Sequence, residues 1–333
     1  MKVLLTSVGR RAYMVKYFKE IDEVKEVHVC NSDDCSVAFK YADKTVVSPL
    51  IFDDNYIPFL LNYCKENRID ILLSLFDIDI PILARNKEKF IEIGTKVIAP
   101  PPRFADVCND KWKTYLFLKE NMLNAPKTYL TIDSVLKAVA KGEINYPIIV
   151  KPRFGCGSIA LAVAEDEMSL LYSYSQTLHE VTCSYLKYES ATTEDKIIFQ
   201  EYLKGQEYGA DIINDLDGNY VNTIVRKKIA MRSGETDIAE ICTQPEIIEA
   251  TKRLGKVTGH VANLDCDIFL VDGKAYILEM NARFGGGYPF SHLGGCNLPK
   301  AIVKWCLGKT VDKNMLTAQL GVRGFKELYI TEH

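Results

Sequence analysis

The stretch Val150-Lys151-Pro152-Arg153-Phe154-Gly155-Cys156-Gly157-Ser158 joins a lysine at the end of an apolar run to a short glycine-containing loop. Glycine lets backbone N–H groups come close to phosphate oxygens, and lysine adds a compact positive charge, so the stretch suits a polyphosphate. It is no Walker A loop, because it lacks the Gly-Lys-Ser/Thr ending and the helix that follows one. An ordinary hairpin turn with a surface lysine accounts for the same residues. A second stretch, Leu278-Glu279-Met280-Asn281-Ala282-Arg283, lies one Asp272-Gly273 turn after Asp267. Period-two alternation places Glu279, Asn281 and, with continued extension, Arg283 on one face, and strand pairing sets Asp267 beside Glu279. Two carboxylates and an amide oxygen make a hard-oxygen site for Mg2+ shared with phosphates. A solvated strand face is the alternative. The apolar neighbours Ile277, Leu278 and Met280, with Gly285-Gly286-Gly287 beyond, favour a buried polar cluster. In Phe199-Gln200-Glu201-Tyr202-Leu203-Lys204-Gly205-Gln206-Glu207 a strand runs into a polar connector. Such a connector offers backbone groups to a purine edge and a carboxylate to ribose hydroxyls; an ordinary strand-to-strand loop reads the same.

Other features carry less chemistry. Ser7-Val8-Gly9-Arg10-Arg11 follows the first strand where a dinucleotide fingerprint sits, but lacks its repeated glycines. Arg10 and Arg11 suit an anionic substrate or a plain helix start. Phe76-Asp77-Ile78-Asp79 ends a strand and either borders the cleft or caps a helix at Asp79. His292 reads equally as an acceptor-pocket or a structural histidine. Cys156, with no histidine partner in sight, reads as a small filler residue.

Elements must hold these residues in place. Strands over 3–6, 26–30, 71–75 and 96–99 alternate with helices over 12–20, 56–67 and 81–90, the pattern of a parallel sheet with helices on both faces. Pro100-Pro101-Pro102 marks a boundary. Beyond it the reading gives helices over 111–120, 134–141 and 245–261, and a helix followed by an exposed loop over 173–195. Strands are expected over 127–130, 146–151, 158–163, 197–202, 208–214, 220–229, 267–271 and 275–280. Asp217-Gly218-Asn219 and Asp272-Gly273 are hairpin turns. At 333 residues the chain needs two or three lobes. Apolar and charged fractions of 47% and 26% are ordinary for a soluble protein, and a net charge of -3 speaks against a nucleic-acid surface. No apolar run approaches the roughly 18 residues of a membrane helix, and Met1-Lys2-Val3-Leu4-Leu5-Thr6-Ser7 is a buried strand rather than a leader. Ten scattered cysteines without a Cys-x-x-Cys pair read as reduced thiols of a cytoplasmic protein, not as zinc ligands.

Taken in order, with Asp110-Lys111 upstream, the three chemical stretches resemble the ATP-grasp superfamily, and most of all a synthetase unit of the carbamoyl-phosphate synthetase large subunit. The resemblance implies an α/β fold: a Rossmann-like pre-ATP-grasp domain over 1–100, then a two-lobed ATP-grasp module over 101–333. The smaller lobe is expected over about 125–203 and the larger over about 204–325. It implies an ATP-dependent ligase that joins a small-molecule carboxylate to an amine through an acylphosphate, with Mg2+ as the metal and Mn2+ as a substitute. No nucleic acid or membrane partner is implied, and a homodimer is compatible. Lys111 and Lys151 match the two ATP-contacting lysines, and Gly155, Gly157 and Ser158 the loop over the phosphates. Glu201 and the backbone of Leu203 match the adenine contacts, and Glu207 the ribose contact. Asp267, Glu279 and Asn281 match the metal ligands, and Arg283 the arginine that steadies the transferred phosphoryl group. Arg232-Ser233-Gly234-Glu235 falls near the family's loop beside the nucleotide. Two departures stand out: Asp267 replaces a glutamine of carbamoyl-phosphate synthetase, and the chain holds one synthetase-like unit with no glutaminase or allosteric domain. A partner-dependent carbamoyl-phosphate synthetase fragment and a non-catalytic nucleotide-binding regulator are the alternatives.

Overall fold

Val3, Leu4 and Leu5 are all fully buried, as a strand covered on both faces must be. They form β1 (Lys2–Thr6) in a computed structural model of the chain, which describes residues 1–155, 157 and 159–332. The first layer continues through α1 (Ala12–Lys19), β2 (Glu26–Asn31), β3 (Lys44–Val47), α2 (Tyr56–Asn67), β4 (Ile71–Ser74), α3 (Asp79–Arg85), α4 (Lys87–Glu92) and β5 (Lys96–Ile98). The sheet order is β3-β2-β1-β4-β5, and every pairing is parallel. Alternation sorts its side chains: Val3, Leu5, Val27 and Val29 pack with Met14, Val15 and Phe18 of α1. Leu4, Cys30 and Leu72 pack on the other face with Leu60 and Cys64 of α2.

The expected helix over 81–90 is two helices that start earlier, at Asp79. They break at Asn86 (φ -105, ψ 9), whose side-chain amide donates to the Ile82 carbonyl and competes with the helical ladder. Pro81 lies in the first turn, where its missing N–H has no helical partner to lose. Strand β3 escaped the sequence reading because it is a short, mostly exposed edge strand without alternation.

After the prolines come α5 (Pro102–Asn109), with Pro102 at its first position, and α6 (Lys111–Glu120). A four-stranded antiparallel sheet then forms from β6 (Thr128–Tyr129), β7 (Ile148–Pro152), β8 (Ala162–Ala164) and β9 (Ile197–Glu201), in the order β6-β9-β7-β8. Its core joins α7 (Ile132–Ala140) and α8 (Glu167–Cys183) through Val135, Leu170, Val150 and Phe199. Of the strand expected over 158–163, residues 162 and 163 fall in β8 and 159–161 do not, while 158 lies outside the described residues. Helix α8 starts before residue 173 because Asp166 caps it, accepting from Ser169 N at 2.8 Å. A short α9 (Leu186–Glu189) interrupts the expected loop.

The third sheet takes β10 (Gln206–Asn214), β11 (Tyr220–Arg232), β12 (Glu235–Cys242), β13 (Ala262–Val271) and β14 (Lys274–Asn281), with α10 (Pro245–Thr258) on one face. Helices α11 (Tyr288–Leu293) and α12 (Leu298–Cys306) follow, and β15 (Arg323–Phe325) pairs with β12 at the sheet edge. The order is β14-β13-β10-β11-β12-β15. Tyr208, Ala210, Ile212, Leu264, Cys266 and Ile268 are buried with Ile247 and Leu254 of α10. The intervening residues Glu207, Asp211, Asp265 and Asp267 therefore line the opposite face, and a two-residue period has produced one apolar and one charged surface. Among the described residues no helix is long and apolar enough to cross a membrane, and the cysteines are free thiols.

Candidate active site

A cavity of about 530 Å³ lies where the four-stranded sheet faces the charged side of the six-stranded sheet, a size suited to a small cofactor. Lys111, Lys151, Gly155, Gly157, Glu201, Leu203, Glu207, Asp267 and Glu279 all line it. Ser158 lies outside the described residues. Asn281 and Arg283 are buried beyond the cavity wall.

The two lysines come together through one ion pair. Asp110 caps α6, accepting from Trp112 N at 3.0 Å and Lys113 N at 3.3 Å. The same carboxylate holds Arg153 just past β7 by two contacts, Nε at 2.8 Å and Nη2 at 2.7 Å, while Lys111 N donates to the Arg153 carbonyl at 3.0 Å. The start of α6 is thereby fixed against the end of β7. Lys111 Nζ donates to the Gly155 carbonyl and stands 3.4 Å from Glu279 Oε1. Lys151 is buried, and burial lowers its pKa to about 8; Lys111 adds to the fall, while Glu279 and Asp267 oppose it. Its ammonium makes no hydrogen bond to a described residue, and it faces the cavity.

Asp267 and Glu279 are register partners across β13 and β14, the pairing expected of the two strands. A bulge just beyond them adds Leu278 to the cavity wall beside Glu279. Sequence reasoning missed Lys228 on β11, whose Nζ lies 2.6 Å from Glu207 Oε1 and 2.5 Å from Asp267 Oδ1. Burial disfavours its charge, but the two carboxylates more than reverse this and hold its pKa above the ordinary lysine range. Arg226 and Lys228, two residues apart and so on one face of the strand, were the available signal.

Arg283 is already committed. It donates from Nε (3.0 Å) and Nη2 (2.7 Å) to Asp77 of the N-terminal layer, and from Nη1 to Asp265 at 3.4 Å. Asp265 also accepts from Arg226, which pairs with Asp211 and donates to Ser291 at 2.7 Å. Burial pushes the Asp265 pKa up, with Arg226 opposing. This array explains two of the three glycines that follow: a Cβ on Gly285 would lie 1.9 Å from Asp265 Oδ2, and one on Gly287 2.8 Å from Arg226 Nη2. Asp79 is a buried acceptor for Thr6 (2.7 Å), Tyr56 (2.9 Å) and Ser7 (3.2 Å), not a helix cap. His292 stacks on Tyr17 with ring centroids 3.7 Å apart.

The donor set fits Mg2+. Asp267 and Glu279 face one another and Asn281 lies two residues along, all hard oxygen donors. Among the described residues no three His, Cys, Asp or Glu side chains converge for a metal. Two carboxylates and an amide oxygen would leave the rest of a coordination shell to phosphates and water.

A sequence model described as the ATP-grasp domain matches residues 108–287, and one described as the PylC-like N-terminal domain matches residues 3–98. The chain belongs to the ATP-grasp family, with the expected Rossmann-like layer preceding the ATP-grasp module. Among curated proteins it is similar to the carbamoyl phosphate synthase large chain of Pseudothermotoga lettingae, 24% identical over 310 residues, covering 89% of this chain and 26% of that protein. It is likewise similar to the large chain of Clostridium acetobutylicum, 25% identical over 295 residues, with 85% and 26% covered. The chain spans about a quarter of the length of these relatives. Among solved structures it resembles the biotin carboxylase domain of the Hydrogenobacter thermophilus 2-oxoglutarate carboxylase, in complex with MgADP, ADP and bicarbonate. The TM-score is 0.74 at 18% identity, covering 97% of this chain and 73% of that one. N5-carboxyaminoimidazole synthetase from Staphylococcus aureus, complexed with ADP, gives 0.71 at 13% identity, covering 96% and 79%. These structural likenesses establish a common fold.

Proposed function

We propose that the chain is an ADP-forming ligase that activates a carboxylate with ATP and joins it to an amine. The observation that carries this reading is the convergence of Lys111 and Lys151 from one side of the cavity with the Asp267–Glu279 pair from the other. We read residues 1–100 as the pre-ATP-grasp domain and 101–333 as the ATP-grasp module, its lobes over about 125–203 and 204–325. In this reading Lys111 and Lys151 neutralise phosphate oxygens, and Gly155, Gly157 and Ser158 bring backbone N–H groups to them. Glu201 and the Leu203 backbone meet the adenine edge, and Glu207 the ribose. Asp267, Glu279 and Asn281 would hold Mg2+, which Mn2+ replaces; the bound ion supplies charge neutralisation for phosphoryl transfer. Arg283 reaches the transferred group by exchanging a carboxylate partner for a phosphoryl oxygen. A carboxylate oxygen attacks the γ-phosphorus and ADP leaves. The amine nitrogen then attacks the acyl carbon, the acyl C–O bond breaks, and phosphate departs with that oxygen while the amine loses a proton.

The test is a screen of carboxylates and amines in pairs for ADP and phosphate release, with product identification by mass. With an oxygen-18 carboxylate the label should appear in released phosphate. Nucleotide release without label transfer would exclude the acylphosphate. The similarity to carbamoyl phosphate synthase large chains favours a second reading, in which bicarbonate is the carboxylate and a partner chain supplies the nitrogen. Carbamoyl phosphate formed from bicarbonate, ammonia and ATP would select it. Tight ATP binding with no turnover across the screen would instead select a regulator.

A further inference from the structure

The cavity is charge-balanced before any ligand enters. Among its described lining residues, Lys111, Lys151, Lys204 and Lys228 face Glu201, Glu207, Asp267 and Glu279. Both carboxylates read as metal ligands already hold an ammonium: Asp267 that of Lys228 at 2.5 Å, and Glu279 that of Lys111 at 3.4 Å. The first contact is built into the sheet. Lys228 is on β11 and Asp267 on β13, with β10 between them. The β10 residue opposite Asp267 is Gly209. Glu207, on the same strand, receives the same ammonium at 2.6 Å. The Lys228 side chain is only 7% exposed, so water does little to weaken these contacts.

We infer that Lys228 is a resident counter-cation that keeps divalent metal off Asp267 until a nucleotide arrives, so that metal and nucleotide enter together. The inference rests on the nucleotide reading of the cavity. A divalent ion approaching alone must displace an ammonium that then remains buried beside it. A polyphosphate changes that balance, because its oxygens give Lys228 and Lys111 new anionic partners and uncover Asp267 and Glu279 for the ion. Each ligand thus raises the affinity of the other, as linkage requires. Lys228 acts through the metal ligands and is a positioning residue.

The probe is Mn2+ binding to the nucleotide-free protein, followed by electron paramagnetic resonance, with thermal unfolding as the control for folding. Wild type should bind Mn2+ weakly. Lys228→Met should bind it at least about tenfold more tightly, within the usual range of coupling between sites. Lys228→Gln, which keeps a hydrogen-bond donor between the carboxylates, should move in the same direction, whereas Lys228→Arg, which keeps the charge, should behave as wild type. Equal Mn2+ affinity in wild type and both neutral variants would overturn the role of Lys228 while leaving the nucleotide reading intact. Calorimetry of Mg·ATP with wild type separates the two: no binding there overturns the nucleotide reading and this inference with it.

Discussion

Lys151 gives up its proton more readily than an ordinary lysine, because burial and the neighbouring Lys111 disfavour its charge and bring its pKa to about 8. Phosphate oxygens favour the charged form. ATP affinity should therefore fall as pH rises from 7 to 9, and binding near pH 8 should draw a proton from the buffer. Calorimetry in buffers of different ionisation enthalpy measures this uptake; binding with no proton exchange would contradict a phosphate contact. The sign for folding is opposite. The unfolded chain binds this proton more tightly, so the lysine weighs against folding below about pH 8, and the penalty fades as pH rises toward the ordinary lysine range. Lys151→Ala should weaken ATP binding without lowering the thermal transition, and unchanged affinity would remove the residue from the nucleotide site. Residues of this kind were partly legible in sequence: the Asp272-Gly273 turn brings the Asp267 and Glu279 strands together, but their exact pairing also needs the bulge that leaves Leu278 unpaired. Lys228 was not, since its partner Asp267 comes from another strand, and neither was the pairing of Asp77 with Arg283, which joins two layers.

At the scale of elements, the site depends on how α6 is docked against the end of β7. Asp110 does this twice, as the cap of α6 and as the partner of Arg153. Asp110→Ala should destabilise the protein by about 3 kcal/mol, the cost of removing one member of a buried pair, and should also weaken ATP binding by releasing Lys111. Denaturant unfolding and calorimetry measure the two effects; a stability loss with unchanged nucleotide affinity would leave Asp110 purely structural. Boundaries here were only partly legible. Helices α2 and α6 run as the periodicity gave them, from Tyr56 to Asn67 and from Lys111 to Glu120. The break at Asn86 depends on a side-chain hydrogen bond to Ile82 that no pattern announces. Gly285 and Gly287, read as part of a mark of a polar cluster, are held to glycine by the tight packing of Asp265 and Arg226 against their backbone.

Across the whole molecule, the N-terminal layer and the six-stranded sheet share one apolar core, in which Leu4 and Leu72 join Ala210 and Met280. The buried Asp77–Arg283 pair ties the same two layers. Asp77→Ala leaves a buried guanidinium short of a partner and should cost about 3 to 5 kcal/mol. Because the shared core remains, calorimetric unfolding should stay a single transition at a lower temperature; two separate transitions would show that the layers fold independently. The fold class was legible from the alternation of strands and helices over the first hundred residues and from the two hairpin turns. Helices α11 and α12 and strand β15 were not, because β15 is a three-residue edge strand and α11 spans only six residues. The central claim is that ATP is turned over at the cavity between the sheets with metal held at Glu279. Its most direct test is metal-dependent ADP release by wild type and Glu279→Gln, with the carboxylate and amine that the pairwise screen identifies and thermal unfolding to count folded protein. The account predicts a loss of turnover on the order of a hundredfold or more in the folded variant, from removing one electrostatic contact to the transferring group; wild-type turnover with the same Mg2+ requirement would contradict it.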